Sequence, residues 1–286
     1  MGNAAKKTLA DFKKTRCGRC SDPLIAGGCM CRGCGYYNFG VGGAYNKPLI
    51  RLGDAISADL KRVRTGPWDP VFGNGKVGGD GLVETSVVLI GAVPGCGKST
   101  LALQACDRVI EDTGKEALFI SSEQLVSEVK TYADRLQLKH TKKIVMIDTV
   151  GGYDELGNLE DIAKHVMPGI IILDSLPGLC GDNHDVAVEM CEVLKKEVSA
   201  KVKAPSIVVD HVTKAHEMAG LMGLQHSVDV LAIMDRNDDT QVRSIYTRKN
   251  RFGKAGEKIY LQMVERGLIL ANHNPDEDDE DEDEDD

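Results

Sequence analysis

The residues whose types and spacing could do chemistry fall into three groups. The first is Ala92-Val93-Pro94-Gly95-Cys96-Gly97-Lys98-Ser99-Thr100, set between an apolar run ending at Ile90 and the helical stretch Leu101-Ala102-Leu103-Gln104-Ala105-Cys106. A strand, a glycine-rich turn and a helix in that order make a loop suited to phosphate. Gly95 and Gly97 carry no Cβ, so backbone N–H groups can converge on phosphate oxygens. The helix N-terminus adds free N–H groups and the positive end of its dipole. These nine residues are the expected ATP-binding set, with Lys98 reaching the β- and γ-phosphates and Ser99 offering its hydroxyl to Mg²⁺. Ala92 stands where such loops usually begin with glycine, and Gly91 precedes it.

The second group is acidic. Asp174 ends the run Gly169-Ile170-Ile171-Ile172-Leu173. A carboxylate at the C-terminal end of a central parallel strand lies beside the phosphate loop and can hold the Mg²⁺ shell; a strand-end Asp can also cap a turn. Hydrolysis needs a group that orients or deprotonates the attacking water. Glu123 follows the run Ala117-Leu118-Phe119-Ile120-Ser121, the next strand after the loop's helix. It fits that catalytic role, and it also fits a cap on a helix starting near Gln124.

The third group is made of cysteines. Cys17-Gly-Arg-Cys20 and Cys31-Arg-Gly-Cys34 are two C-x-x-C pairs ten residues apart. Two such turns close a tetrahedral four-thiolate shell, the donor set of a structural Zn²⁺. Disulfides are the rival reading, which a cytoplasmic chain argues against. Cys29 is a fifth, extra thiol. Cys96, Cys106, Cys180 and Cys191 are dispersed and read as packing residues.

The elements that must position these groups show in the pattern of apolar runs. Val87–Ile90, Ala117–Ile120, Ile144–Ile147, Ile170–Leu173, Ser206–Val209 and Val230–Ile233 are short and mostly β-branched, with helical stretches between several of them. They read as buried parallel strands of an α/β fold. Runs near Ile245 and Ile259-Tyr260-Leu261 alternate more and suit an antiparallel extension. The expected organisation is a cysteine-rich segment over residues 1–48, an α/β core over 49–272 and an acidic tail over 273–286 that cannot bury a core and should be disordered.

Charge is segregated along the chain. Formal net charge is -9, yet residues 276–286 are all Asp or Glu and give -11, while the first 48 residues hold eight Lys or Arg against two Asp. A basic head and an acidic tail are a layout of proteins that handle nucleic acid. No run of about 18 apolar residues exists to span a membrane, and the N-terminus has no apolar signal region. A cytoplasmic protein is expected.

These features together resemble the RadA (Sms) family of DNA-repair ATPases, relatives of RecA, over about residues 15–270. Thr65-Gly66-Pro67-Trp68-Asp69-Pro70-Val71-Phe72-Gly73, Ile120-Ser121-Ser122-Glu123-Gln124 and Ala133-Asp134-Arg135-Leu136 fit that family's blocks. So do His211-Val212-Thr213-Lys214, Ala219-Gly220 and His226-Ser227-Val228-Asp229. Most specific is the pentapeptide Lys249-Asn250-Arg251-Phe252-Gly253. The resemblance implies a RecA-like core with an N-terminal zinc ribbon. It implies a DNA-stimulated ATPase that forms a ring, a hexamer being one such ring, binds single-stranded or branched DNA and drives branch migration, with helicase activity as an extension. It implies Glu123 as the catalytic glutamate and His211 as a γ-phosphate sensor. It further implies that Lys249 and Arg251 act from one subunit on a neighbour's nucleotide or on DNA. The family's Lon-protease-like domain has no counterpart here, as in a shortened, phage-type form. Two other readings remain open: a single-strand annealing protein that uses ATP as a switch, and a RecA-fold ATPase acting on protein partners. The acidic tail could dock a replication or recombination protein.

Overall fold

A computed structural model of the chain describes residues 19–20, 33–34, 38–39, 43–44, 61–73, 81–148, 159–181, 183–211, 223–237 and 240–271. Two compact units result, Met1–Asp59 and Leu60–Asp286. In the first, β1 (Asn38–Phe39) pairs antiparallel with β2 (Gly43–Ala44), and Cys20 and Cys34 each sit in a turn. Cys17, Cys29 and Cys31 lie outside the described residues, as does the acidic run 276–286.

The second unit opens with β3 (Arg62–Val63), α1 (Asp69–Phe72) and β4 (Leu82–Val83), β3 and β4 forming a small antiparallel pair. The run Thr65-Gly66-Pro67-Trp68-Asp69 folds on itself there. Trp68 Nε1 donates to Thr65 Oγ1 at 3.0 Å, and the Thr65 hydroxyl donates to Asp69 Oδ1 at 2.6 Å. The indole is fully buried, and a Cβ on Gly66 would stand 2.5 Å from its ring. Glycine, tryptophan and aspartate are thus fixed at this entry by sterics and buried hydrogen bonding.

The core is a nine-stranded sheet. Its strands are β5 (Val87–Ala92), β6 (Ala117–Ser121), β7 (Ile144–Asp148), β8 (Ile170–Asp174), β9 (Ser206–His211), β10 (Val230–Arg236), β11 (Val242–Asn250), β12 (Lys258–Val264) and β13 (Gly267–Leu270). Their spatial order is β13-β12-β11-β10-β5-β9-β8-β6-β7. The six strands from β10 to β7 are parallel, and β11, β12 and β13 continue the sheet antiparallel. All six runs read as parallel strands are such strands, and the alternating runs form the antiparallel extension.

Both faces of the parallel part are covered, which explains its unbroken apolar runs. Val88, Ile90, Ile170 and Ile172 pack on one side with α2 (Lys98–Thr113), α1 and α3 (Val126–Arg135). Val87, Leu89, Ile171 and Leu173 pack on the other with α4 (Leu159–Val166), α5 (Leu176–Cys180), α6 (His184–Val193) and α7 (Ala200–Val202). Leu101, Ala102, Ala105, Cys106, Val109 and Ile110 place the buried face of α2 at helical spacing. Gly114 ends that helix in the left-handed region, its N–H donating to Ile110 O at 2.9 Å. Burying a side chain such as Leu101 stabilises the fold by about 2 kcal/mol. Among the described residues no helix is long and apolar enough to cross a membrane.

Candidate functional site

The C-terminal ends of the parallel strands gather most of the residues singled out in the sequence. Ala92 at the end of β5 pairs with His211 at the end of β9, and Ser121 at the end of β6 pairs with Asp174 at the end of β8. The loop after β5 needs its glycines. Gly95 and Gly97 have φ of 81° and 104°, in the region where other residues are strained. A Cβ on Gly97 would meet Met263 Cε at 2.7 Å, and one on Gly95 would approach Arg236 Nη1 at 3.3 Å. The loop therefore rests against β10 and β12.

Lys98 opens α2 and is only 6% exposed. Its ammonium donates to the carbonyls of Ala92 and Val93 at 2.9 and 3.1 Å, an arched pose that leaves room for phosphates above the loop. Burial holds its pKa below the usual lysine value, against the pull of nearby Cys96, Asp174 and Glu123. Asp174 is 7% exposed. Burial raises its carboxyl, and a hydrogen bond from the Ser99 hydroxyl lowers it in part. The Ser99 and Asp174 oxygens, joined to each other beside Lys98, are the hard donor set that suits Mg²⁺.

Glu123 is positioned by a network rather than by a helix cap. The helix after it begins at Val126, and the cap contact comes from Glu128, which accepts from Leu125 N at 2.9 Å. Glu123 itself accepts from the Ser175 hydroxyl and stands 3.2 Å from His211 Nε2. Ser122 ties the two strand ends together: its N–H donates to Asp174 O at 2.9 Å, its hydroxyl to Ser175 O at 2.8 Å, and it accepts from Ser175 N at 2.9 Å. The Asp174–Ser175 peptide is cis. Gly178 on α5 packs so closely that a Cβ would lie 2.1 Å from Ser122 Oγ.

Sequence reasoning missed Ser122, Ser175 and Gly178 as supports of Glu123. Ser175 was findable, since it follows Asp174 directly; Gly178 carried no local signal. Asp210 was also missed. It precedes His211, burial raises its carboxyl, and it feels Lys98 and His184.

A cleft of about 300 Å³ lies over this arrangement, lined by the loop from Pro94 to Thr100, by Glu123, Gln124 and His211, and by the apolar Leu103, Tyr132 and Met263. Its lining combines charged side chains with apolar surface. Lys98, Ser99, Glu123, Asp174 and His211 thus come together. Thr100 lines the cleft, while Cys96 is buried beneath the loop.

Lys249 and Arg251 do not join them. β11 runs antiparallel to β10, so Asn250 pairs with Val230, itself level with Val88 near the start of β5. The pentapeptide therefore sits about 17 Å from the phosphate loop, some five residues along a strand. Its members divide by task. Asn250 Nδ2 donates to Phe72 O and Gly73 O at 3.2 and 3.1 Å, and a Cβ on Gly253 would strike Gly73 O at 1.8 Å. Those two residues seat the segment on the end of α1. Lys249 and Arg251 turn instead towards residues 225–229. Among the described residues no group of three or more His, Cys, Asp or Glu could hold a metal ion; Cys20 and Cys34 are described and Cys17 and Cys31 are not.

Comparison with known proteins agrees with this geometry. The family described as "ATPase: KaiC" matches residues 69–273. The DNA repair protein RadA of Chlamydia muridarum is 31% identical over 219 residues, 72% of this chain and 44% of that protein. RadA of Bacillus subtilis is 30% identical over 205 residues, 68% of this chain and 42% of that protein. The chain thus spans less than half the length of these relatives. Among solved structures, a KaiC-like protein from the hyperthermophilic archaeon Pyrococcus horikoshii OT3 superposes with a TM-score of 0.61 at 17% identity, covering 74% of this chain and 99% of that one. The fold is RecA-like.

Proposed function

Because this chain belongs to the KaiC family of RecA-fold ATPases, we propose that it hydrolyses ATP at sites completed between copies of itself and couples turnover to single-stranded or branched DNA in recombination and repair. One observation carries this reading: Lys98, Ser99, Glu123 and His211 share a cleft with Asp174 bonded to Ser99 beside it, while Lys249 and Arg251 lie at the far end of the same sheet. In it, Lys98 and the loop N–H groups bind the β- and γ-phosphates. Ser99 and Asp174 would hold Mg²⁺, which neutralises phosphate charge when bound. Glu123, fixed by Ser175 and facing His211, orients and deprotonates the attacking water. His211 senses the γ-phosphate through that contact. Lys249 and Arg251 reach a neighbour's nucleotide or a DNA backbone, where positive charge stabilises the transferring phosphoryl group.

The decisive experiment measures ATP turnover with and without single-stranded DNA, on particles sized by native mass spectrometry. Stimulation by DNA in an oligomer supports the reading. Turnover indifferent to DNA would sink it and favour protein partners. A branch-migration readout separates a motor from an annealing protein.

Cys17, Cys20, Cys31 and Cys34 are assigned one structural Zn²⁺ on their spacing alone. Metal analysis of the purified chain should find about one zinc, retained in Cys29→Ser and lost in Cys31→Ser; the opposite pattern would overturn this ligand set.

A further inference from the structure

The lysines of the long helical segment before β9 behave in two ways. Lys196 pairs with Glu192 at 2.7 Å, and Lys201 pairs with Glu160 and Glu197 at 2.9 and 2.5 Å. These are partners on the helical surface. Lys195 instead points to the foot of the sheet, its Nζ 2.5 Å from Asp229 Oδ1. It sits in Leu194–Ser199, six residues wound as a π-helix between α6 and α7. A π turn widens the helix and re-aims its side chains, and such turns recur at functional sites.

Asp229 is heavily subscribed. Its side chain is 4% exposed, Oδ2 accepts from Val87 N at 3.2 Å, and Oδ1 also takes Arg251 Nη1 at 3.5 Å. Beside it, Lys249 donates to Val228 O at 2.8 Å and to Gln225 O. Burial, then the charges of Arg251 and Lys195, hold the Lys249 pKa below its usual value, and Asp229 alone opposes them. Three cations therefore lie around one carboxylate, Lys195 and Arg251 paired with it and Lys249 held beside it by carbonyls, with the Arg251 side chain 51% and the Lys195 side chain 23% exposed. Among the described residues that leaves an excess of two positive charges at a partly open site, which an anion would relieve. The chain's own nucleotide cannot supply it, because the phosphate loop is about 17 Å away along β5.

We propose that Lys195 completes, with Lys249 and Arg251, a three-cation cradle around Asp229 that takes phosphate oxygens from outside the subunit, carried by a neighbouring copy's nucleotide or by a nucleic-acid backbone. This rests on the reading that Lys249 and Arg251 act outside their own subunit, and adds a residue to it.

The test uses the full chain with Lys195→Gln, which keeps a hydrogen bond to Asp229 and loses the charge; Lys195→Arg, which restores it; and Arg251→Ala as reference. If the phosphate is a neighbour's nucleotide, Lys195→Gln lowers DNA-free turnover by about tenfold or more at saturating ATP. ATP affinity is then unchanged, and Lys195→Arg regains most of the rate. If it is a nucleic-acid phosphate, DNA-free turnover holds, and the slope of log affinity for single-stranded DNA against log salt weakens by about one. A salt bridge with only a structural role moves neither a salt slope nor a turnover rate at unchanged melting temperature. Should Lys195→Gln unfold, Lys195→Met, which keeps the length of the side chain and loses the charge, carries the same measurements. Wild-type values in both assays for the Lys195 variant, with a defect in Arg251→Ala, would overturn the cradle and leave the wider reading standing. Wild-type values for both variants would remove both.

Discussion

The two ends of the sheet hold opposite inventories. At the C-terminal ends of β5, β6, β8 and β9, three carboxylates, Glu123, Asp174 and Asp210, lie near Lys98, the lysine or arginine lining the cleft among the described residues, and Arg236 approaches the loop at Gly95. At the N-terminal ends of β5 and β10, Lys195, Lys249 and Arg251 lie around Asp229, the carboxylate among the described residues that pairs with Lys195 and Arg251. On the proposed reading, one end holds ATP and directs water, and takes further positive charge for the transition state from a neighbouring copy. The other has more positive charge than Asp229 balances among the described residues. A rigid sheet cannot bring its two ends together, so on the proposed reading they would meet where the foot of one copy faces the cleft of the next. Such a contact joins unlike surfaces, and repeated with a closing rotation it makes a ring.

The comparison is tested hardest at the cleft. Lys98→Ala should abolish ATP hydrolysis, because Lys98 opens the helix behind the loop and is the lysine or arginine that lines the cleft among the described residues. Glu123→Gln should keep ATP binding and slow turnover by about 10²- to 10⁴-fold, the range of a lost general base, since an amide accepts no proton. Nucleotide affinity and single-turnover rate, measured side by side, separate the two. Equal turnover in wild type and Glu123→Gln would remove Glu123 from catalysis and leave the Ser175 contact as a structural one.

Next comes the foot. Arg251→Ala should slow hydrolysis by about 10³-fold, the lower range for a cation donated in trans, without weakening ATP binding to an isolated subunit. Lys98→Ala damages a copy's cleft and spares its foot; Arg251→Ala does the reverse. Mixed, the two inactive proteins should recover turnover through junctions that pair an intact cleft with an intact foot. No recovery in particles shown by native mass spectrometry to be mixed would break the head-to-foot account.

How legible these regions were in the sequence follows from how local their causes are. The loop 92–100 and the six parallel strands were readable because each is set by adjacent residues: glycines at positive φ, and β-branched runs covered on both faces. Asp174, Glu123 and His211 were locatable because each ends, or closely follows, such a strand. Their supports were not. Gly178 matters because Ser122 arrives from another strand end, and Met263 reaches the loop from an antiparallel strand far along the chain. The pentapeptide was recognisable as a block, yet its division into Asn250 and Gly253, which dock on Phe72 and Gly73, and Lys249 and Arg251, which do not, needs a pairing across the chain. Lys195 was invisible, because Leu194-Lys195-Lys196-Glu197 reads as ordinary amphipathic helix and local propensity does not announce a π turn.

The smallest expected effect concerns the acidic run 276–286, and it sharpens what the foot binds. Residues 242–270 carry seven Lys or Arg against two Glu, and that segment leads directly into eleven consecutive carboxylates, which match a stretch of DNA in charge density. If that run occupies the chain's own basic surface, it would compete with phosphate for the same cations. Removing residues 276–286 takes the formal net charge from -9 to +2, so single-stranded DNA should bind several-fold tighter at low salt. The gain should shrink as salt rises, because screening weakens the competing run while added salt weakens phosphate contacts in both forms. The cut should leave ATP turnover without DNA unchanged if the foot engages only a neighbour's nucleotide, and raise it if the acidic run also occupies the foot. Equal DNA affinity of the two proteins across a salt series would rule out self-competition and leave the run as a docking segment for a protein partner or an aid to solubility.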